Sequence, residues 1–540
     1  MKYKLYLLLL SVLLLQCQNP LQDVEIQIST DILHYTTLVQ VEDGNGNPVS
    51  NLTVAITGQD ADQIYNLAGT KTFLLQSGVL GLGVHPRSDP EEGMPVMFNI
   101  ELSGTGFLTQ NIPMTIHKGQ LQQVIKTDVL NIREAPAGIA VATPTAPLQG
   151  GATAEEVTLE TAPQNQATEV TKITMPAATQ FQDAGGNTLA GGQLGAVIAH
   201  VDPSKESALR IFPGGGLISN NVQTPTGNTA GTFIPAGLVN IDMSVGGVAV
   251  KHFSQPITVG IQIDPSFTNM NTGGIVKAGD ELSIYSYETG AANWKYEGNG
   301  TVEMIDGKPT VAFETTHLTW FMVGNFVSSC PSYQSLTLTG TWLTAGIKYP
   351  MVVEAMVAGK VVASVNADIS VSENTVRMNN LPEQGVSIRV KNENGEILAM
   401  RAITGSCSSV NTITLSRPSV INKKVTMQLH VRCPNNVATI GVLPTFYLYY
   451  RLAKPTADVS GYKLLGVVEK GFISTTALTP GTVGYDFKAV WGDQVKYAHN
   501  KIVAADNTAT VGDGEGELIG EIDPANNLQM LQEKCKEFGL

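Results

Sequence analysis

The spacing of apolar residues constrains this chain more than any other feature. Residues 96–102 (VMFNIEL), 256–263 (PITVGIQI), 281–287 (ELSIYSY) and 425–431 (VTMQLHV) place apolar side chains at every second position over much of their length. That period suits a half-buried strand, whose successive side chains face opposite sides of the pleat. Between such runs stand Gly, Pro, Asn and Asp, the residues of tight turns. With 54 Gly and 27 Pro in 540 residues, long regular helices are disfavoured, while 43% hydrophobic residues supply material for cores. One core stops growing near about 250–300 residues, so several domains are expected. The expected fold class is all-β: β-sandwich domains in tandem, closed by a short C-terminal helix.

The N-terminus carries a different signal. Lys2 and Lys4 precede an almost unbroken apolar run over residues 5–15, and Cys17 follows. The run is too short to span a bilayer and matches the core of an export signal. Residues 14–17 (LLQC) resemble the lipobox of bacterial lipoproteins, which implies cleavage before Cys17 and acylation of that residue. Removing Cys17 leaves Cys330, Cys407, Cys433 and Cys535. An even count in an exported chain reads as two disulfides, with three pairings open; Cys330–Cys407 and Cys433–Cys535 are favoured because each pair brackets a proposed domain.

The expected organisation is a lipoprotein signal peptide with its lipidated Cys at 1–17, a sandwich at 26–135, a linker at 136–170, a sandwich at 171–328, another at 329–417, a fourth at 418–522 and a helix at 523–540. The linker reading rests on Ala, Thr, Pro and Gln without a sustained period. Asp523-Pro524 supplies an N-cap and a first-turn proline for the helix, which is expected to pack on the last domain.

Three resemblances refine this outline. In the first domain, Asp43-Gly-Asn-Gly-Asn-Pro48-Val49 followed by Gly106-Phe107 resembles the transthyretin-like, carboxypeptidase-regulatory-like domains of bacterial surface proteins, which implies an Ig-like β-sandwich. Residues 478–489 (LTPGTVGYDFKA) resemble a fibronectin type III corner, in which a Tyr hydroxyl, here that of Tyr485, ties the strand to the preceding loop. Residues 294–323 are similar to the end of GAIN-type domains, where His-Leu-Thr marks self-cleavage. That resemblance implies that His317 takes the proton of the Thr319 hydroxyl, which attacks the carbonyl of Leu318 to form an ester that water opens. The bland alternative is a closing β-strand.

Conventional catalytic and cofactor motifs are missing from the sequence. It has no H-E-x-x-H, G-x-S-x-G or P-loop. Its eight His are scattered, and His430, alternating with apolar neighbours, reads as a structural residue. No metal and no cofactor are expected. Asp43, Asn45 and Asn47 have the spacing that opens a calcium loop, but Val54 stands where the twelfth-position Glu is needed, so a hairpin turn is favoured. Net charge is −14, and without a Lys/Arg cluster no nucleic-acid partner is expected.

The expected function is a non-catalytic binding, adhesion or structural module of the cell envelope. It is expected at the outer membrane or cell surface, with the membrane as one partner through the lipid anchor and a glycan or extracellular protein as another. Trp294, Tyr296, Trp342 and Trp491 are the aromatics able to stack on sugars, although each fits a core position more readily. Two alternatives stand beside it: a secreted carbohydrate-active enzyme with non-adjacent carboxylates, and a surface protein that cleaves itself at Leu318-Thr319.

Overall fold

A computed structural model describes residues 26–29, 33–67, 69–288, 292–330, 333–383, 385–403, 410–421, 423–432, 440–443, 445–455, 460–491 and 494–511. The chain divides into two compact units. One comprises Tyr35–Asn66 and Thr70–Ser419; the described part of the other runs from residue 420 and takes in 26–29, 33–34, 67 and 69. Strands dominate both, arranged as β-sandwiches.

Strand β1 (Ile26–Ser29) stands first among the described residues. The first sandwich follows with β2 (Thr36–Glu42), β3 (Thr53–Thr57), β4 (Ile64–Asn66), β5 (Val79–Val84), β6 (Val96–Ser103), β7 (Gln110–Ile116) and β8 (Gln122–Asp128). One sheet has the order β4-β5-β2-β8 and the other β3-β6-β7, with β2 and β8 parallel. Alternation drives this packing. In β6, Val96, Phe98, Ile100 and Leu102 face a core shared with Val39, Val41, Leu80 and Leu82.

The second sandwich contains β9 (Ile139–Ala142), β10 (Thr145–Pro147), β11 (Val157–Glu160), β12 (Thr171–Met175), β13 (Phe181–Gln182), β14 (Gln193–Val201), the one-turn helix α1 (Glu206–Leu209), β15 (Ile218–Thr224), β16 (Gly227–Val245), β17 (Val248–Ala249), β18 (His252–Gln262), β19 (Thr268–Asn269), β20 (Gly274–Ile275), β21 (Glu281–Glu288), β22 (Asn293–Ile305), β23 (Lys308–His317) and β24 (Trp320–Ser328). Its main path is β10-β14-β16-β24-β21-β22-β23-β18-β12-β11. The long β22 pairs with β21 over its first part and with β23 over its last four residues, so it belongs to both layers.

Residues 136–170 correct the sequence reading. They are not a free linker: β9 and β10 pair with β14, and β11 pairs with β12. Their strands have only three or four residues each, too few to show a period, and tertiary pairing decides their state.

The third sandwich holds β25 (Gln334–Thr339), β26 (Tyr349–Val357), β27 (Lys360–Ile369), β28 (Thr375–Met378), β29 (Val386–Asn392), β30 (Ile397–Ala402) and β31 (Val410–Thr414). Its sheets are β28-β25-β31 and β27-β26-β29-β30. One apolar core runs from Leu108 through the second sandwich to Leu415 in the third. The first sandwich is fastened to the second by polar contacts. Arg210 Nε donates to the fully buried Asp128 at 2.7 Å, and Gly214 N–H donates to Asn111 O at 3.0 Å.

The other unit holds β32 (Val425–Arg432), β33 (Ile440–Leu443), β34 (Phe446–Leu452), β35 (Lys463–Val468), β36 (Phe472–Thr475), β37 (Gly484–Trp491), β38 (Gln494–Ile502) and β39 (Asp506–Val511). One sheet has the order β1-β33-β32-β36, with β39 also paired to β32, and the other has the order β35-β34-β37-β38. Apart from β33, which also pairs with β32, this repeats the third sandwich: β32 pairs with β36 and, in parallel, with β39, as β25 pairs with β28 and, in parallel, with β31. β1 does not join the sandwich that follows it; it pairs in parallel with β33, Ile26 opposite Ile440. The domain expected from residue 26 therefore begins after it. The Tyr485 hydroxyl accepts the Thr479 N–H at 2.9 Å, the tie implied by the fibronectin-like corner. The helix expected at 523–540 and the signal peptide at 1–17 lie outside the described residues.

Candidate functional site at a sheet crossover

His317, Leu318 and Thr319 sit where the chain leaves one sheet for another. β23 ends at His317, paired across the sheet with His252 on β18. β24 begins at Trp320, between Asn240 of β16 and Tyr287 of β21. Leu318 and Thr319 make the whole connection. Leu318 is buried, as an apolar residue at a crossing between layers should be, and its N–H donates to Lys251 O at 3.3 Å.

The polar groups of the triplet point to separate partners. The Thr319 hydroxyl donates to the Tyr287 carbonyl, and the Thr319 carbonyl accepts the Ile241 N–H at 3.3 Å. His317 Nδ1 lies 3.2 Å from the Thr315 hydroxyl, and Nε2 is 3.8 Å from Glu297 Oε1. The imidazole also packs on Phe321, ring centres 5.5 Å apart. Burial lowers the His317 pKa from its ordinary value, and the Glu297 carboxylate opposes that shift. The ring is thus favoured as a neutral base near pH 7. Acyl transfer from Leu318 would require the Thr319 hydroxyl to leave Tyr287 and His317 to turn from Thr315. As they stand, these bonds close a two-residue crossover.

The proposed calcium loop is a hydrogen-bonded turn. Asp43 Oδ1 accepts the N–H groups of Asn45 and Asn47 at 2.9 and 3.0 Å, and Oδ2 accepts Asn47 Nδ2 at 2.9 Å. Asp183 makes the same pattern with Gly185 and Asn187, and Asn392 makes it with Asn394 and Glu396. The fourth residue of each loop is a glycine at positive φ: Gly46, Gly186 and Gly395. Asp43 follows the first strand of its sandwich and Asn392 the fifth, so this is recurrent turn chemistry and not a duplicated domain. No group of three or more His, Cys, Asp or Glu able to hold a metal ion occurs among the described residues.

Of the candidate aromatics, Trp294 is fully buried. It stacks on Phe212 with ring centres 5.0 Å apart and meets Phe233 and Tyr287 at 5.0 and 5.2 Å. Tyr296 donates to Asn299 Oδ1 at 2.9 Å, and Trp342 Nε1 donates to Leu415 O at 3.4 Å. Trp491 and His430 lie on β37 and β32. Cys330 is fully buried; Cys17, Cys407, Cys433 and Cys535 lie outside the described residues.

Two buried ionisable groups carry no signal in the sequence. His200 is fully buried in β14, with Nδ1 2.9 Å from the Thr171 hydroxyl. Burial drives its pKa down to about 4. Nε2 has no hydrogen-bond partner among the described residues, so a proton there would be poorly solvated. Asp128 is raised above the usual carboxylate range by burial and pulled back by Arg210. Both residues occupy alternating strand positions whose facing layers only the fold reveals.

No protein-family model and no characterised protein matches the sequence. Among solved structures, the chain is similar to the Bacillus anthracis TIE protein at 11% identity, over 69% of this chain and 57% of that one, with a TM-score of 0.13. This chain therefore matches little more than half the length of that protein. It is similar to BcpA, the major pilin subunit of Bacillus cereus, at 9% identity over 71% of this chain and 99% of that one, TM-score 0.13. It is similar to the full-length major pilin RrgB from Streptococcus pneumoniae at 10% identity over 88% and 99%, TM-score 0.13. Likeness at this level assigns no function.

Proposed function

We propose that this chain is a lipid-anchored module of the cell envelope that acts as a non-catalytic binding, adhesion or structural body. The observation that carries the reading is the unbroken apolar core from Leu108 to Leu415. A core shared between two sandwiches resists bending at their junction, because any hinge motion would expose apolar surface to water. A stiff body behind an export signal and a lipidated Cys17 suits display at the outer membrane or cell surface. Trp294 belongs to the core, so recognition of a glycan or extracellular protein falls to the loops at the sandwich ends.

Cys330 fits an oxidising destination. It is disulfide-bonded, and we assign Cys407 as its partner. β25 and β31 are parallel neighbours with Ser335 opposite Val410. Along the sequence Cys330 precedes Ser335 by five positions and Cys407 precedes Val410 by three, a spacing that supports pairing the two.

Fatty-acid labelling of expressing cells tests the anchor. Label is expected on the full chain and on a mature product beginning at Cys17, and is expected to vanish in Cys17→Ser. An unlabelled chain in the cytosol with residues 1–16 intact would overturn the reading.

A further inference from the structure

Tyr287 and Trp294 stand opposite one another on β21 and β22, with ring centres 5.2 Å apart, and each is 1% exposed. Each carries a polar atom into the core, the Tyr287 hydroxyl and the Trp294 Nε1–H. Neither atom has a hydrogen-bond partner among the described residues. A buried donor without an acceptor is costly, and buried Tyr and Trp ordinarily find one. Two such donors on neighbouring rings call for a common explanation.

Both donors reach the same point. Residues 213–216 (PGGG) pass beside the two rings, with Gly214 and Gly215 at φ values of 88° and 80°. A methyl group placed on Gly214 would lie 3.9 Å from the Tyr287 hydroxyl and 3.9 Å from Trp294 Nε1. Its shortest contact outside its chain neighbours would be 3.7 Å, to Tyr287 Cε2. A group of about the size of a water molecule therefore fits between the glycine and the two donors. The other side of the loop belongs to the first sandwich. Phe212 O accepts Gln110 Nε2 at 3.2 Å, and Gly214 N–H donates to Asn111 O at 3.0 Å. A Cβ on Gly215 would come within 2.9 Å of Ile112 Cγ2. The loop is thus wedged between β7 and the aromatic cluster of the second sandwich.

The chemistry of the donors selects the ligand. Burial raises the Tyr287 pKa above its ordinary value, so the hydroxyl stays a neutral donor. An indole N–H is a donor only. Phe212 and Phe233 pack on Trp294 and make the surroundings apolar. An anion would have to shed its hydration to enter such a place. A water molecule meets no such penalty: it accepts from both donors and keeps two protons for backbone carbonyls of the glycine loop.

We propose that the Tyr287 hydroxyl, Trp294 Nε1 and the backbone at Gly214 form a binding site for one structural water, which fastens the glycine loop, and through it the first sandwich, to the aromatic core of the second. A high-resolution crystal structure of the full chain tests this. One density peak is expected within about 3.2 Å of both the hydroxyl and Nε1. A map without that peak, or with a protein acceptor on either atom, would overturn the proposal. Crystals soaked in bromide distinguish the other occupant: an anomalous peak at that point would make it an anion site and overturn the assignment to water. Tyr287→Phe keeps the ring and removes one donor. The peak is expected to disappear in this variant, and its persistence would remove Tyr287 from the site. Amide hydrogen exchange gives an independent reading in solution. Peptides covering residues 212–217 are expected to exchange at least about threefold faster in Tyr287→Phe than in the natural chain. An unchanged rate would overturn the fastening role.

Discussion

The burial of a neutral imidazole at His200 predicts a loss of stability in acid. His200 has a folded-state pKa of about 4 and an unfolded value near 6.5. Between those values the unfolded chain takes up a proton that the folded chain does not. His200 therefore imposes no penalty above about pH 6.5 and costs up to about 3 kcal/mol once the pH has fallen to 4. Urea unfolding at pH 7 and pH 4.5 is expected to show this loss in the natural chain and a smaller one in His200→Gln. Equal losses in both would place the acid sensitivity elsewhere. The Thr319 hydroxyl is engaged by the Tyr287 carbonyl and His317 by Thr315. The purified ectodomain is expected to run as one band of full mass on a denaturing, reducing gel. Two fragments meeting at Leu318-Thr319 would restore the self-cleavage reading.

At the scale of elements, three hairpin loops have one requirement in common. The loops at Asp43, Asp183 and Asn392 each need a residue at positive φ in the fourth position, and each has glycine there. At Gly186 an added methyl group would meet nothing within 4 Å, so substitution tests backbone strain alone. Gly186→Ala is expected to cost about 1 kcal/mol, read as a lower denaturant midpoint with an unchanged slope. A loss of several kcal/mol would mean that the loop packs against something. Such loops were legible in the sequence because their chemistry is local: a side-chain acceptor, two backbone donors and one glycine. Strands β9, β10 and β11 were not legible. Three or four residues cannot display a period, and their partners β12 and β14 lie well beyond the reach of a local pattern, Ile139 pairing with Val201 and Thr145 with Gly195. Nor was β1, whose Ile26 pairs with Ile440 of β33.

Peptide mapping without reduction is expected to recover Cys330 joined to Cys407. Recovery of Cys330 on Cys433 or Cys535 would sink that assignment and the domain bracketing behind it. The candidate site shows the same division between what is local and what is not. The sequence singled out His317 and Thr319 because they stand two residues apart, but adjacency along a chain does not determine where a hydroxyl points. Tyr287 and Thr315 claim the two groups, and Tyr287 reaches Thr319 only because β21 and β24 lie side by side. Trp294 fails as a sugar platform for the same reason: its rarity was visible in the sequence, its layer was not.

By itself the amino-acid order determined the all-β class, the turn chemistry and the core faces of the longer strands, since alternation and turn residues act over a few neighbours. Only the tertiary structure decided which strands share a sheet, that one core joins two sandwiches, and that His200 and Asp128 are sealed from water. Those outcomes depend on surfaces brought together from distant parts of the chain, where the free energy of burial is shared between partners that no local pattern identifies.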